Sequence, residues 1–268
     1  MKQLPPFVNE TQLEHDLMLG DDVDSFLGCN LLQEITNGKW KVNYYFNFQN
    51  TYQINKTSLK PIGVDMALGR SIRTFDNHLT QLFPNSYANQ NCVNLNVYNN
   101  ITVQSYAKKY PLSTLLLIMS IYDIPLPKTQ LGKEILLSVD SSHKGFYASN
   151  SYFKSIYINW LEEIGYTELI DVLDKRNKEY FHKVQNHYNL NDKILLNEEG
   201  RLHTNIMINE IQPHFDYKLS LPEEKFKLKK KYKHIRTHAY DKLPPTDQII
   251  NLVYPYKDKV MYNYIPQD

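Results

Sequence analysis

The sequence predicts an α/β fold: a mainly parallel sheet in the first half, followed by a smaller α+β part. Three observations predict it. Short apolar runs alternate with helix-patterned segments up to about residue 150, as expected for a sheet with helices on its faces. Four of these runs end at an acidic residue. Beyond about residue 150 the pattern changes to amphipathic helix and then to short β-like pieces. The expected division is a first domain at 1–150 and a C-terminal cap or substrate domain at 151–268.

The elements follow in order. The run 17–19 is short and apolar and stops at Gly20-Asp21-Asp22. Residues 25–34 place Phe26, Cys29 and Leu32 near helical spacing, and Asn37-Gly38 closes that helix. Residues 40–48 are aromatic and β-branched, a strand, and 61–64 form a strand ending at Asp65. Residues 71–75 form another, ending at Asp76-Asn77-His78. Segment 113–122 reads as a buried helix, and 134–139 as a strand ending at Asp140. Residues 156–176 carry an apolar helical face of Ile156, Trp160, Ile164, Leu169 and Leu173. Helix is expected again over 179–188, β-like pieces at 193–196 and 202–208, and a hairpin from 249–254 and 259–264.

Composition narrows the function. The 268 residues are 42% hydrophobic and 22% charged, an ordinary globular balance. A formal charge of +1 argues against coating nucleic acid by bulk charge. That sum hides a segment, 225–240, with seven positive charges and no negative one. Its lysines, with Tyr232, His234 and His238 interleaved, suit a phosphate backbone; a solvated loop after Pro222-Glu223-Glu224 is the competing reading. Cys29 and Cys92 cannot form a disulfide scaffold or a zinc knuckle, which fits a reduced, cytoplasmic protein. Neither a signal-peptide core nor a membrane-spanning run is expected, so the membrane is not an expected partner. No phosphate-cradling or dinucleotide-binding glycine motif occurs, and no serine-hydrolase elbow.

The acidic strand ends carry the chemistry. Asp22-Val23-Asp24, Asp65, Asp76-Asn77-His78 and Asp140 would meet beyond the carboxyl ends of a parallel sheet. Carboxylates gathered there repel one another unless a cation neutralises them. Mn²⁺ or Mg²⁺ prefers such oxygen ligands, and a metal pair can drive displacement at phosphorus. Each motif alone has a plainer reading: Asp24 as a helix cap, Asp65 as a loop acid, Asp76-Asn77-His78 as a turn.

Taken in order, GDDVDS, GVD, DNH and VDSSHKGFY resemble the motifs of the DHH superfamily of phosphoesterases, over about residues 13–150. The resemblance implies an enzyme using divalent Mn or Mg to hydrolyse a phosphodiester or phosphate ester of a nucleotide, cyclic nucleotide or short oligonucleotide. It implies metal ligands at Asp22, Asp24, Asp65 and Asp140, with Asp65 bridging. It also implies a catalytic role for His78 with Asp76, next to the substrate phosphate or leaving group. Asn77 stands where the family has its first histidine, leaving a weaker oxygen ligand. His15 lies too far upstream to match the family's leading histidine, and no glycine-rich substrate-gripping segment follows residue 150. These departures support the rival expectation, a degenerate DHH-like protein that binds a nucleotide, nucleic acid or protein without cleaving it. His143 and Lys144, close after Asp140, are expected to contact substrate, Lys144 as a point charge on phosphate.

Overall fold

The chain is described here by a computed structural model covering residues 4–266. Its first half builds strand β1 (His15–Leu19), helix α1 (Val23–Ile35), strands β2 (Trp40–Phe46), β3 (Asn50–Gln53), β4 (Pro61–Val64), β5 (Arg73–Phe75) and β6 (Cys92–Val93), then helices α2 (Leu95–Tyr98), α3 (Thr114–Ile121) and α4 (Gln130–Ser138). The second half adds α5 (Ser151–Glu163), α6 (Glu168–Asp174), α7 (Lys178–His187), β7 (Leu195–Leu196), β8 (Leu202–His203) and α8 (Ile208–Ile211). Strands β9 (Lys227–Lys231), β10 (Lys233–His238), β11 (Ile249–Tyr256) and β12 (Lys259–Tyr264) complete it.

The fold is α/β, with a seven-stranded sheet in the order β6-β5-β4-β1-β2-β3-β9. The five strands from β6 to β2 run parallel, while β3 and β9 are antiparallel additions at one edge. Every residue of β1 is buried, including His15 and Asp16 ahead of the apolar run 17–19, as expected of a strand inside a parallel sheet. The chain leaves β1 toward β2 on one side and later returns as β4 on the other. That reversal opens a crevice at the carboxyl ends of β1 and β4, where open α/β sheets bind ligands. Helix α1 packs closely over the sheet: a Cβ on Gly28 would stand 2.8 Å from Val64 Cγ1 and 3.2 Å from Ile118 Cδ1.

Three expectations are corrected. Residues 134–139 are not a strand; 130–138 form α4, whose start is capped by the Thr129 hydroxyl accepting the Gly132 N–H. A short apolar run suits a buried helix and a buried strand equally, and the cap five residues upstream decides between them. The single helix expected over 156–176 is two, α5 and α6, because Gly165 takes φ +83° and breaks the run. The basic segment is not a loop. It forms β9, paired with β3, and β10, paired with β12.

One apolar core runs through both halves, joining Leu17, Phe26 and Ile62 to Leu161, Phe181 and Tyr262. The expected hairpin is present as β11 and β12, which with β10 makes a three-stranded antiparallel sheet. β11 lies across the loops that follow β4 and β5. Leu252 N–H donates to the Ala67 carbonyl and Tyr254 N–H to that of Leu79. The small sheet therefore covers part of the carboxyl edge of the large one. Among the described residues no helix is long and apolar enough to cross a membrane.

Candidate functional site

The ends of β1 and β4 are tied together by one side chain. Ser25 Oγ accepts the Gly20 N–H at 2.6 Å and donates to the Val64 carbonyl at 2.7 Å. Asp22 caps α1, accepting the Ser25 N–H at 3.2 Å. Asp24, in the first turn, is buried and does not cap its own helix. Its two oxygens accept the N–H groups of Thr114 and Leu115, at 2.7 and 2.8 Å, so it docks onto the start of α3. The Thr114 hydroxyl donates to Asp65 Oδ1 at 2.7 Å. Asp65 itself sits at φ +59°, the left-handed region that a non-glycine residue occupies only when its surroundings impose it.

From β5, Asp76 is fully buried and uses both oxygens. Oδ1 accepts from His78 Nδ1 at 2.7 Å, and Oδ2 from Asn94 Nδ2 at 2.8 Å. His78 Nδ1 also lies 3.9 Å from Asp65 Oδ1. Donor atoms of Asp65, Asp76 and His78 all fall within 4.8 Å of one another, so these three residues could hold a metal ion. Asn77 donates through Nδ2 to the Leu112 carbonyl at 3.0 Å and to Asp140 Oδ2 at 3.2 Å, which brings Asp140 to the same rim. Asp140 arrives there from the end of a helix and not from a strand. It and Ser141 take φ +48° and +56° to make the turn.

The electrostatics are those of crowded carboxylates. Burial, then the charges of Asp65 and Asp140, pushes the Asp24 carboxyl well above its ordinary range. Burial and Asp22 do the same to Asp65, opposed by His78. Burial raises Asp22 as well, against the pull of Lys193. For His78 burial favours the neutral ring, but the charge and hydrogen bond of Asp76, with Asp65 and Asp140, outweigh it and hold the pKa at about 10. These neighbours thus leave an imidazolium between Asp65 and Asp76, while Lys193 supplies positive charge at Asp22. A divalent cation relieves the same repulsion, and the donor set of carboxylate oxygens with one imidazole nitrogen fits one.

Next to the cluster opens a cleft of about 600 Å³, lined by Asn77, His78, Asp140, Lys109, Lys144 and Tyr256, among others. Lys144 is exposed at its wall. His143 does not contact the cleft as expected. It is fully buried, stacked on Phe181 with centroids 4.8 Å apart, and its Nδ1 faces the Leu137 carbonyl at 3.2 Å. The tight turn at Asp140 and Ser141 swings it inward. His15 opens β1 and pairs with Glu10 at 2.8 Å, at the edge of the sheet away from the site.

Four site residues escaped the sequence reading. Lys193 reaches Asp21 at 2.8 Å and Asp22 at 3.7 Å from far along the chain. Lys109 lines the cleft, its pKa lowered by burial and supported by Asp140. Asn94 and Thr114 position Asp76 and Asp65. Asn94 alone had a signal, a polar residue directly after the short strand β6. Comparison with protein-family models, with curated proteins and with solved structures finds no match for this chain.

Proposed function

We propose that the chain is a metal-dependent phosphoesterase of DHH-like type, acting on a nucleotide, cyclic nucleotide or short oligonucleotide. One observation supports this most: donor atoms of Asp65, Asp76 and His78 lie within 4.8 Å of one another at the carboxyl ends of β4 and β5, beside a cleft lined by Lys109 and Lys144. Asp24, Asp65 and Asp76 are buried while Asp22 is half-buried and Asp140 exposed; buried carboxylates this close are kept together at a cost to stability, which a cation-binding role explains. Asp65, Asp76 and His78 would hold a Mn²⁺ or Mg²⁺ ion, with Asp22, Asp24 and Asp140 around them. When bound, that cation neutralises the carboxylates and supplies the Lewis acidity for water to attack phosphorus.

The other roles belong to the chain's own residues. Lys109 and Lys144 place positive charge on the cleft wall, where a phosphate would be drawn in and oriented. His78 is fixed through Nδ1 by Asp76, which Asn94 fixes in turn. With a cation in place of the Nδ1 proton, Nε2–H, which bonds to no described residue, would stay free to orient the departing oxygen by a hydrogen bond. Thr114 holds Asp65 in its strained position.

One observation favours the second reading, a non-cleaving DHH-like binding protein. Asn77 spends its Nδ2 on Leu112 and Asp140, and both oxygens of Asp24 are engaged by α3. The test is a panel of linear dinucleotides, cyclic dinucleotides and short oligonucleotides, incubated with Mn²⁺ or Mg²⁺ and either wild type or Asp65→Ala. Cation-dependent cleavage by wild type alone supports the enzyme. Cation binding without cleavage of any member supports the binding protein.

A further inference from the structure

We propose that β9 and β10 form a binding surface for single-stranded nucleic acid, separate from the carboxylate cluster. All five residues of β9, Lys-Leu-Lys-Lys-Lys, are exposed, and the strand is the free edge of the seven-stranded sheet. After Tyr232 the chain continues as β10, the free edge of the three-stranded sheet. The two sheet edges are thus joined into one basic ribbon. Lys227, Lys230, Lys231, Lys233 and Arg236 have no carboxylate within ion-pair distance among the described residues. Lys229 alone is occupied, by Tyr44 OH at 3.0 Å and Gln53 Oε1 at 2.9 Å.

Register places this charge. Lys230 pairs with Thr51, which pairs with Phe46, the last residue of β2. Lys230 and Lys231 therefore stand on the carboxyl rim of the sheet, the rim that also carries Asp22 and Asp65. At the far end of β10, Tyr240 is 58% exposed and Phe83 37% exposed, their rings 6.2 Å apart. The His238 ring lies 5.7 Å from that of Tyr240. Unpaired cations along an extended edge, ending in exposed rings, match a chain of phosphates whose bases are free to stack. A duplex hides its bases and gains nothing from the rings.

Lysines on a free edge also serve a plainer purpose, blocking the addition of another strand. Glutamate blocks an edge equally well, so charge reversal separates the two roles. The experiment is fluorescence anisotropy of labelled 20-nucleotide oligothymidylate and oligouridylate with the full chain, in EDTA, so that the metal centre takes no part. Wild type is expected to bind, with affinity falling steeply as salt rises, by roughly 0.7 log unit per log unit of salt for each phosphate contacted. The triple variant Lys227→Glu, Lys230→Glu, Lys231→Glu is expected to lose at least about 10-fold in affinity and to flatten the salt slope by about 2. Tyr240→Ala is expected to weaken binding roughly 5- to 100-fold with the slope unchanged. Melting followed by circular dichroism checks that both variants fold. Absence of binding by wild type, or equal binding by a folded triple variant, overturns the proposal. So does tighter binding to a duplex of the same length or to phosphatidylserine vesicles. Failure here leaves the phosphoesterase reading standing, since the ribbon and the carboxylate cluster are tested separately.

Discussion

Replacing Asp65 by Asn isolates the charge that the site holds at a loss. The oxygens of Asp65 and Asp76 lie within 4.8 Å, a repulsion of about 3.5 kcal/mol at an effective dielectric constant of about 20. His78 Nδ1, 3.9 Å from Asp65 Oδ1, returns about 4 kcal/mol on the same scale, less what solvent removes at the part-exposed ring. These two contributions nearly cancel. Burial of Asp65 and the charges of Asp22 and Asp140 remain, and all three disfavour the carboxylate. The Asn side chain still accepts the Thr114 hydroxyl through its oxygen. Metal-free Asp65→Asn is therefore expected to melt no lower than wild type at pH 8. Wild type, with Mn²⁺ at 100 times its dissociation constant, gains about 2.7 kcal/mol, or roughly 5 °C in Tm for a chain of this size. The variant gains almost none of it. Differential scanning fluorimetry with and without Mn²⁺ reads both effects. A full Mn²⁺ shift in the variant, or a drop of several degrees in the metal-free variant, shows that Asp65 is not a cation ligand held at a loss.

Three further outcomes follow from the packing. Arg176→Ala removes the guanidinium 2.7 Å from the buried Glu134, leaving only Tyr180 OH at 2.6 Å and Gln130; urea unfolding should show a loss of about 1–3 kcal/mol, partly recovered by adding Glu134→Gln. Gly28→Ala places a Cβ 2.8 Å from Val64 Cγ1 and should cost about 1–3 kcal/mol despite its better helix propensity, with Val64→Ala restoring part of it in the double variant. His143 has its pKa lowered by burial from 6.5 to about 4. The unfolded chain binds this proton first, so its contribution to stability is complete above pH 6.5 and lost as pH falls toward 4, by about 3 kcal/mol in all. His143→Leu should flatten the denaturation midpoint over that range relative to wild type.

The presence of a strand was legible where its residues decided the matter locally, its first residue less so, since β1 starts at His15 and β5 at Arg73. The apolar run 17–19, the aromatic and β-branched segment 40–48 and the run 61–64 fall in β1 (His15–Leu19), β2 (Trp40–Phe46) and β4 (Pro61–Val64). Segment 134–139 was not legible, because a short buried run has no period of its own and Thr129 lies outside it. β9 was hidden because Lys-Leu-Lys-Lys-Lys lacks an apolar face; its pairing with the backbone of β3 makes it a strand. The aspartates at the ends of β1, β4 and β5 could be read from their positions, since parallel strands bring their carboxyl ends together. Lys109 and Lys193 could not, because only the folded chain carries them to Asp140 and Asp22. His143 misled through its closeness in sequence to Asp140, a closeness that two left-handed residues undo.

Mn²⁺ binding to the purified chain, followed by electron paramagnetic resonance of the free ion and by calorimetry, tests directly whether Asp65, Asp76 and His78 form a cation site. Wild type is expected to bind Mn²⁺ saturably, Asp65→Ala to lose that binding, and a proton to be released as Mn²⁺ displaces the one shared by His78 and Asp76. No saturable binding by wild type, or binding that Asp65→Ala leaves unchanged, contradicts a cation site there.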